Sequence, residues 1–223
     1  MGNEAKHEEG QASVERFGAG AANTQGMNRR GANERGADVR GTNEQVPNER
    51  PNEHRAGEGK LVICPTPIGN LGDVTDRMRD CLENAQVVCA EDTRVTGKLL
   101  AALGIRRPLE RLDEAMLSSR ANSVVARVLA GEVIAYCSDA GMPGISDPGL
   151  RLVHAAREAG ATVEVLPGPV AAATAYVASG CTNQRFFFAG FFPRKDAERR
   201  AELQSVAKLD AALIYYESPK RLA

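Results

Sequence analysis

The sequence predicts an α/β fold with a mostly parallel sheet flanked by helices, followed by the start of a second α/β domain. Short apolar runs alternate with amphipathic segments along residues 59–180, as in a succession of β-α units. Several of these runs are apolar throughout, which is typical of strands buried on both faces. Each run ends in a turn rich in proline, glycine or polar residues, so right-handed crossovers bring those turns to one edge of the sheet.

Residues 1–58 precede this pattern and are predicted to form a disordered, low-complexity tail. They contain few clustered apolar residues, a single aromatic residue (Phe17) and a loose repeat built on Asn-Glu-Arg. A repeat without an apolar face does not build a solenoid. Frequent glutamates and the lack of an apolar segment argue against a targeting peptide. The preferred interpretation is a dispensable extension, and the alternative is an RNA-contacting arm.

Composition argues against several classes of function. The formal net charge of −1 provides no global basic surface, so any contact with nucleic acid requires a local patch. Five cysteines without C-x-x-C spacing indicate small buried side chains in a reducing, cytoplasmic environment. Only His154 lies in the predicted folded part, so neither a zinc site nor a Ser-His-Asp triad is expected. No apolar run has membrane-spanning length.

The first predicted strand, residues 61–64, leads into the turn Pro65-Thr66-Pro67-Ile68-Gly69-Asn70. A dinucleotide site would have a glycine-rich G-x-G turn here, and no Walker A motif follows elsewhere. Ordinary nucleotide-binding folds are therefore not expected. A helix is predicted from Thr75 or Asp76 to about Asn84.

The second predicted strand, residues 86–90, ends in Glu91-Asp92-Thr93-Arg94. Polar residues at the carboxyl end of a buried strand are candidates for a site, because such loops line the crevice of an open α/β sheet. The alternative for Asp92 or Thr93 is to cap the following helix, which carries Val95, Leu99 and Leu103 on one face and ends at Gly104. Arg94 is not needed for capping.

The central predicted strand, residues 133–137, is followed by a twelve-residue loop, residues 138–149. Three glycines and two prolines give this loop a rigid backbone that can approach a ligand closely. Asp147 and Pro148 are interpreted as the N-cap and first residue of a helix that carries Leu150, Val153 and Ala156 inward. Asp139 precedes any helix that it could cap, so it is either a ligand contact or a turn aspartate bonded to its own backbone.

The remaining elements of the first domain follow the same pattern. A short strand is predicted over residues 107–112, and a helix is predicted from about Ser119 with Val125, Val128 and Leu129 inward. A strand over residues 162–166 ends in Pro167-Gly168-Pro169 and opens a helix over about residues 170–179. The first domain therefore spans residues 59–180.

The second domain is predicted to begin at about residue 185 and to be incomplete at residue 223. Residues 186–192 hold five of the six phenylalanines, and Arg194 and Lys195 follow directly. Aromatic and basic side chains together could stack bases and bind phosphates. The preferred alternative for the phenylalanines is a buried strand. A last strand over residues 211–216 precedes Glu217.

These segments together resemble the ribosomal small-subunit RNA (cytidine-2′-O)-methyltransferases of the tetrapyrrole methylase superfamily. The resemblance covers about residue 60 to the end of the chain and departs from the family pattern at residues 112–116. The matching segments are residues 65–71, 91–94 with Thr96, Leu99 and Leu100, 138–149, 167–169, 190–195 and 216–219.

The resemblance implies methyl transfer from S-adenosylmethionine to a ribose 2′-hydroxyl of small-subunit ribosomal RNA by a cytoplasmic homodimer. Glu91 and Glu217 are candidate general bases, and Arg94 and Lys195 could hold phosphates of the RNA. Two alternatives remain open: a tetrapyrrole C-methyltransferase, and an inactive remnant that acts only as a binding module. The resemblance implies that the cofactor contacts are Pro67, Gly69, Asp139, Ala140, Gly141, Ile145 and Gly168.

Overall fold

The computed structural model describes residues 58–221, so the predicted tail lies almost entirely outside the described residues. The first part of the fold alternates five strands with five α-helices. The strands are β1 (Lys60–Ile63), β2 (Val87–Ala90), β3 (Leu109–Arg111), β4 (Val133–Cys137) and β5 (Val163–Val165). The helices are α1 (Asp76–Asn84), α2 (Thr93–Leu103), α3 (Glu114–Leu129), α4 (Gly149–Glu158) and α5 (Ala171–Ala178), with a short 3₁₀ turn at Leu71–Asp73.

The five strands form one parallel sheet in the order β3-β2-β4-β1-β5. Strand β4 lies at the centre, pairing Ile134 with Leu61 of β1 on one side and with Val87 of β2 on the other. Because all five strands run in the same direction, their carboxyl ends meet at one edge, which we call the carboxyl rim. The predicted mostly parallel sheet flanked by helices is confirmed.

Two apolar layers cover the sheet. Helices α3 and α4 pack Leu117, Val124 and Leu152 against one face, and helices α1 and α2 pack Leu82 and Leu100 against the other. All four residues of β2 are buried, as are the last four of β4. Continuous apolar strands are therefore explained by burial on both faces.

Helix α3 begins five residues earlier than the sequence predicts. Its N-cap is Asp113, whose carboxylate accepts a hydrogen bond from the backbone N–H of Met116 at 2.9 Å. This cap satisfies a backbone donor that would otherwise lack a partner, so it fixes the start of the helix at Glu114. The predicted start near Ser119 is wrong because it overlooked this aspartate.

Each of three helices has one residue of its predicted inward face exposed, although Val125 and Val128 of α3 and Ala156 of α4 are buried as predicted. Leu129 of α3 and Leu150 of α4 are 57% and 62% exposed, whereas Val124 and Leu152 are buried. In α2, Val95 is also exposed, and the most buried residues are Thr96 and Leu100. One residue corresponds to a turn of about 100° around a helix, so a shift of a single position moves a side chain off the core.

The second sheet consists of two parallel strands, β6 (Phe186–Phe191) and β7 (Ala212–Tyr216), joined by helix α6 (Asp196–Val206). The ring of Tyr216 lies 4.7 Å from that of Phe188, centroid to centroid. The preferred interpretation of these phenylalanines as buried is wrong for Phe186, Phe187 and Phe191, which are 45%, 39% and 64% exposed. A 3₁₀ turn follows at Pro219–Arg221.

Within residues 58–221, no helix is both long enough and apolar enough to cross a membrane. Three of the five cysteines (64, 89 and 137) are buried as expected. Cys81 is partly buried, and Cys181 is exposed in the connection after α5.

Candidate functional site

The turn after β1 and the loop after β4 are joined at the carboxyl rim. The backbone N–H of Thr66 donates to the carbonyl of Gly141 at 2.9 Å, and the N–H of Gly141 donates back to the carbonyl of Thr66 at 3.0 Å. The Thr66 hydroxyl also donates to the carbonyl of Ser138 at 3.2 Å. Gly141 has a φ of 82°, a left-handed conformation that favours glycine. The two segments therefore form one rigid unit.

The turn after β5 packs against this unit. A Cβ added to Gly168 would lie 2.3 Å from Cγ of Pro65, and one added to Gly141 would lie 3.4 Å from the carbonyl oxygen of Pro169. Glycine is required at residue 168 because a side chain would overlap the proline ring. The structure therefore brings the turns after β1, β4 and β5 together, as the sequence predicts.

Asp147 closes the loop after β4. Its carboxylate accepts hydrogen bonds from the backbone N–H groups of Gly144 at 2.8 Å and Gly149 at 2.7 Å. Helix α4 begins at Gly149 with Pro148 at the N-cap position, one residue later than predicted, but the Asp147 carboxylate still accepts from the first N–H of the helix. Its bond to Gly144 also bends the loop back on itself.

The closed loop contains a non-glycine residue in the left-handed region. Ser146 has a φ of 62°, a conformation that costs of order 1–3 kcal/mol and is concentrated at functional sites. The predicted cofactor residue Ile145 lies just before it and is partly buried. A Cβ added to Gly190 of β6 would lie 3.2 Å from the Ser146 hydroxyl oxygen, so the second sheet reaches this loop.

Asp139 is exposed at the end of β4 and joins two strand ends. Its Oδ1 accepts a hydrogen bond from the backbone N–H of Asp92, which follows β2, at 3.1 Å. The bonded backbone group belongs to another strand end, so the simple turn-aspartate interpretation does not describe it. Ala140, beside it, is exposed as well.

A cavity of about 390 Å³ opens beside Asp139, between the 3₁₀ turn and helix α2. Three of the seven predicted cofactor residues line it: Pro67, Gly69 and Asp139. The other four, Ala140, Gly141, Ile145 and Gly168, do not line it; Gly141 packs against Ile68 and Pro169, and Gly168 packs against Pro65. The remaining lining residues are Thr66, Leu71, Val95, Thr96, Lys98, Leu99, Ala102 and Ser138.

The sequence prediction missed most of the helical wall of this cavity. Thr96, Leu71 and Lys98 were not proposed as ligand contacts. The available signal was Thr96, a polar residue that helical periodicity places on the inner face of α2. Recognising Thr96 as a contact required knowing which face of the helix points inward.

Glu91 follows β2 and carries an unusual carboxyl group. Partial burial raises the pKa of Glu91, and the negative charges of Asp139 and Asp147 raise it further, while a backbone hydrogen bond from Asp139 opposes the shift. A carboxyl group with a raised pKa is a stronger proton acceptor than an ordinary glutamate once it is ionised.

Glu91→Gln is expected to raise the melting temperature at about pH 7 and to have no effect near pH 3. The folded-state pKa of Glu91 is raised, so protonation of Glu91 stabilises the folded protein relative to the unfolded chain. This contribution is fully present below the unfolded pKa of about 4.3 and is lost as pH rises through the folded pKa. Glutamine stays neutral at every pH. Thermal melts across this range test the effect, with exposed Glu58→Gln as the control; a lower melting temperature of Glu91→Gln at neutral pH would contradict it.

Arg94 and Asp92 form a pair at the start of α2. Asp92 accepts a hydrogen bond from the Arg94 backbone N–H at 2.8 Å, which confirms its predicted capping role. Its carboxylate also binds the Arg94 guanidinium at 2.6 Å, and this contact lowers the pKa of Asp92. The Arg94 side chain is 86% exposed, so it remains accessible to a ligand.

Glu217 and Lys195 make their polar contacts within the second sheet and its helix. Glu217 is largely buried, pairs with Arg221 and accepts a hydrogen bond from the Ser218 backbone N–H. Lys195 is 80% exposed and pairs with Glu198 at 3.0 Å. These contacts do not join either residue to Asp139. Among residues 58–221, no three histidine, cysteine or acidic side chains form a group that could hold a metal ion.

Comparison with known proteins identifies similar sequences. Residues 60–223 match the family described as Tetrapyrrole (Corrin/Porphyrin) Methylases. The chain is 46% identical over 165 residues to the "Ribosomal RNA small subunit methyltransferase I" of Xylella fastidiosa, covering 74% of this chain and 60% of that protein. It is 45% identical over 165 residues to the protein of that name from Escherichia coli O157:H7, covering 74% and 58%. The chain thus spans about three fifths of the length of these curated relatives.

Solved structures share the fold. Diphthine synthase aligns with a TM-score of 0.56 and 14% identity, covering 72% of this chain and 65% of that one. The methyltransferase CobJ aligns with a TM-score of 0.56 and 21% identity, covering 73% and 70%. At these identities the likeness extends to the fold alone.

Proposed function

The chain belongs to the tetrapyrrole (corrin/porphyrin) methylase family, and from this premise we propose that it methylates the ribose 2′-hydroxyl of a cytidine in small-subunit ribosomal RNA with S-adenosylmethionine. The observation that supports this best is the meeting of three turns at the carboxyl rim beside exposed Asp139 and a cavity. The relatives' names supply the substrate class. We further propose that the protein acts in the cytoplasm as a homodimer.

The residues at the rim fit S-adenosylmethionine. Gly69 has open space around the position of an added Cβ, so a ligand can approach its backbone closely. The Asp139 carboxylate is exposed and has an oxygen, Oδ2, beyond the one bonded to Asp92, so it can accept hydrogen bonds from hydroxyl or ammonium groups. The residues that would hold the cofactor are Pro67, Gly69, Asp139, Ala140, Gly141, Ile145 and Gly168.

When bound, S-adenosylmethionine supplies an electrophilic methyl group on a positively charged sulfur. The acceptor hydroxyl attacks in line with the departing sulfur, so the main task of the protein is to orient the reactants. A carboxylate beside the sulfonium would stabilise the ground state more than the transition state, in which that charge is being lost. Asp139 is therefore proposed as a binding residue.

The attacking hydroxyl must also lose a proton, and Glu91 is the favoured acceptor. Partial burial and neighbouring negative charges raise the pKa of Glu91, which favours proton uptake, and Glu91 follows β2 beside Asp139. Glu217 is the weaker candidate because its carboxylate is engaged by Arg221 and by the Ser218 backbone N–H. Arg94 and Lys195 are proposed to contact RNA phosphates.

Two measurements test this function. Calorimetric titration of the chain with S-adenosylmethionine should show binding, and the absence of heat would favour a module that does not use the cofactor. Mass mapping of ribose methylation on small-subunit RNA from cells with and without the gene should reveal one cytidine that loses its 2′-O-methyl group. Unchanged methylation in the deletion strain would contradict the proposed substrate.

Lys195→Ala is expected to weaken RNA binding and reduce its salt dependence while leaving S-adenosylmethionine affinity unchanged. The exposed ion pair with Glu198 contributes little, so the ammonium group can exchange it for a phosphate. Loss of one phosphate contact lowers the slope of log K against log salt by about 0.7–0.9. Filter binding at several salt concentrations measures the slope, with exposed Lys208→Ala as the control. Equal loss of cofactor affinity would overturn the assignment.

A further inference from the structure

The cavity beside Asp139 has a composition that suits a nucleotide. Its helical wall is apolar apart from Thr96 and Lys98, and Leu71 and Val95 are 54% and 40% exposed. Such an apolar surface can pack against the face of a base while polar groups engage the edge of the base. A volume of about 390 Å³ lies at the lower end of the range for ligand pockets, which suits one nucleotide.

Thr96 provides an unused hydrogen-bonding group in this cavity. The residue is 1% exposed, and its Oγ1 has no hydrogen-bond partner among residues 58–221. A helical threonine commonly donates to the carbonyl four residues earlier, here that of Asp92, but the Thr96 hydroxyl makes no such bond. Valine would fill the same volume without a buried polar atom, so the hydroxyl is best explained by a ligand.

The cavity also has opposite charges on its two sides. Lys98 of α2 is exposed and forms no ion pair within the described part of the chain, while Asp139 contributes a carboxylate from the other side. An ammonium group attracts a phosphate, and a carboxylate repels one. A nucleotide would therefore lie with its phosphate toward Lys98, on the side of the cavity away from Asp139.

We propose that the cavity lined by Leu71, Thr96 and Lys98 receives one nucleotide of the RNA substrate, next to the cofactor residues. The Thr96 hydroxyl bonds the edge of the base, and Lys98 binds the phosphate. This inference rests on the proposed function, because it takes RNA as the substrate. Pro67, Gly69 and Asp139, which also line the cavity, are assigned to the cofactor, so the nucleotide would lie against the helical wall.

Thr96→Val tests the pocket without removing packing volume. Transcribed, unmethylated small-subunit RNA should bind the variant about tenfold more weakly than the parent chain, whereas S-adenosylmethionine affinity and melting temperature should not fall. The matched control is Thr162→Val, an exposed threonine at the amino end of β5. A purely structural role for Thr96 would lower the melting temperature and leave RNA binding intact.

Lys98→Gln provides a second readout. The slope of log K against log salt should fall by about 0.7, as expected for one lost phosphate contact on a single strand. The pocket assignment is overturned if the parent chain does not bind the RNA, if RNA affinity is unchanged in both variants, or if Thr96→Val lowers S-adenosylmethionine affinity instead. A parent chain that binds RNA through these residues but transfers no methyl group would contradict the proposed reaction and leave the pocket standing.

Discussion

Asp139→Ala is expected to weaken S-adenosylmethionine binding about 10- to 100-fold. A hydrogen bond to a charged group contributes about 1.5–3 kcal/mol, and each 1.4 kcal/mol corresponds to a factor of ten in affinity. The substitution also removes the acceptor for the Asp92 backbone N–H, which links the ends of β2 and β4. Titration calorimetry of parent and variant measures the change directly.

Asp139→Asn separates these two effects. The amide oxygen can still accept from Asp92, so the asparagine variant should keep the melting temperature of the parent while losing most of the cofactor affinity that depends on charge. Asp80→Ala, at an exposed position on α1, serves as the control for removing a surface carboxylate. Parent-like affinity in Asp139→Ala would remove Asp139 from the cofactor site.

Gly168→Ala is expected to destabilise the fold by about 1–3 kcal/mol and to lower cofactor affinity together with it. The added methyl group would overlap the ring of Pro65, which is buried and cannot rotate away. The turn after β5 must then move away from the turn after β1. Thermal melts should show a decrease of about 2–12 °C, following the usual scaling for a domain of this size.

Gly97→Ala is the matched control, with an expected effect of opposite sign. Gly97 lies inside α2, and an added Cβ would make only an ordinary contact, 3.5 Å from Cδ1 of Leu109. Alanine stabilises a helix interior by about 0.8–1.0 kcal/mol relative to glycine. A Gly168→Ala variant as stable as the parent would show that the two turns do not depend on their close contact.

The order of the elements could be predicted from the sequence because local signals specify it. Continuous apolar runs mark strands buried on both faces, and proline- and glycine-rich turns mark their ends. Since parallel strands deliver those ends to one edge, the meeting of Pro65, Gly141 and Gly168 followed from the pattern. The family resemblance of the six segments is confirmed by the match over residues 60–223.

The sequence by itself therefore determined the strand–turn–helix alternation, the parallel sheet and the rim at which its turns gather. Only the tertiary structure decided which faces of α2 and α4 point inward, that Asp139 bonds to Asp92, and that Glu217 is held by Arg221. It also decided that the Thr96 hydroxyl lies buried beside a cavity, without a hydrogen-bond partner among residues 58–221. The physical reason is that backbone propensities act over a few residues, whereas helix rotation and side-chain pairing depend on surfaces that meet only after the chain has folded.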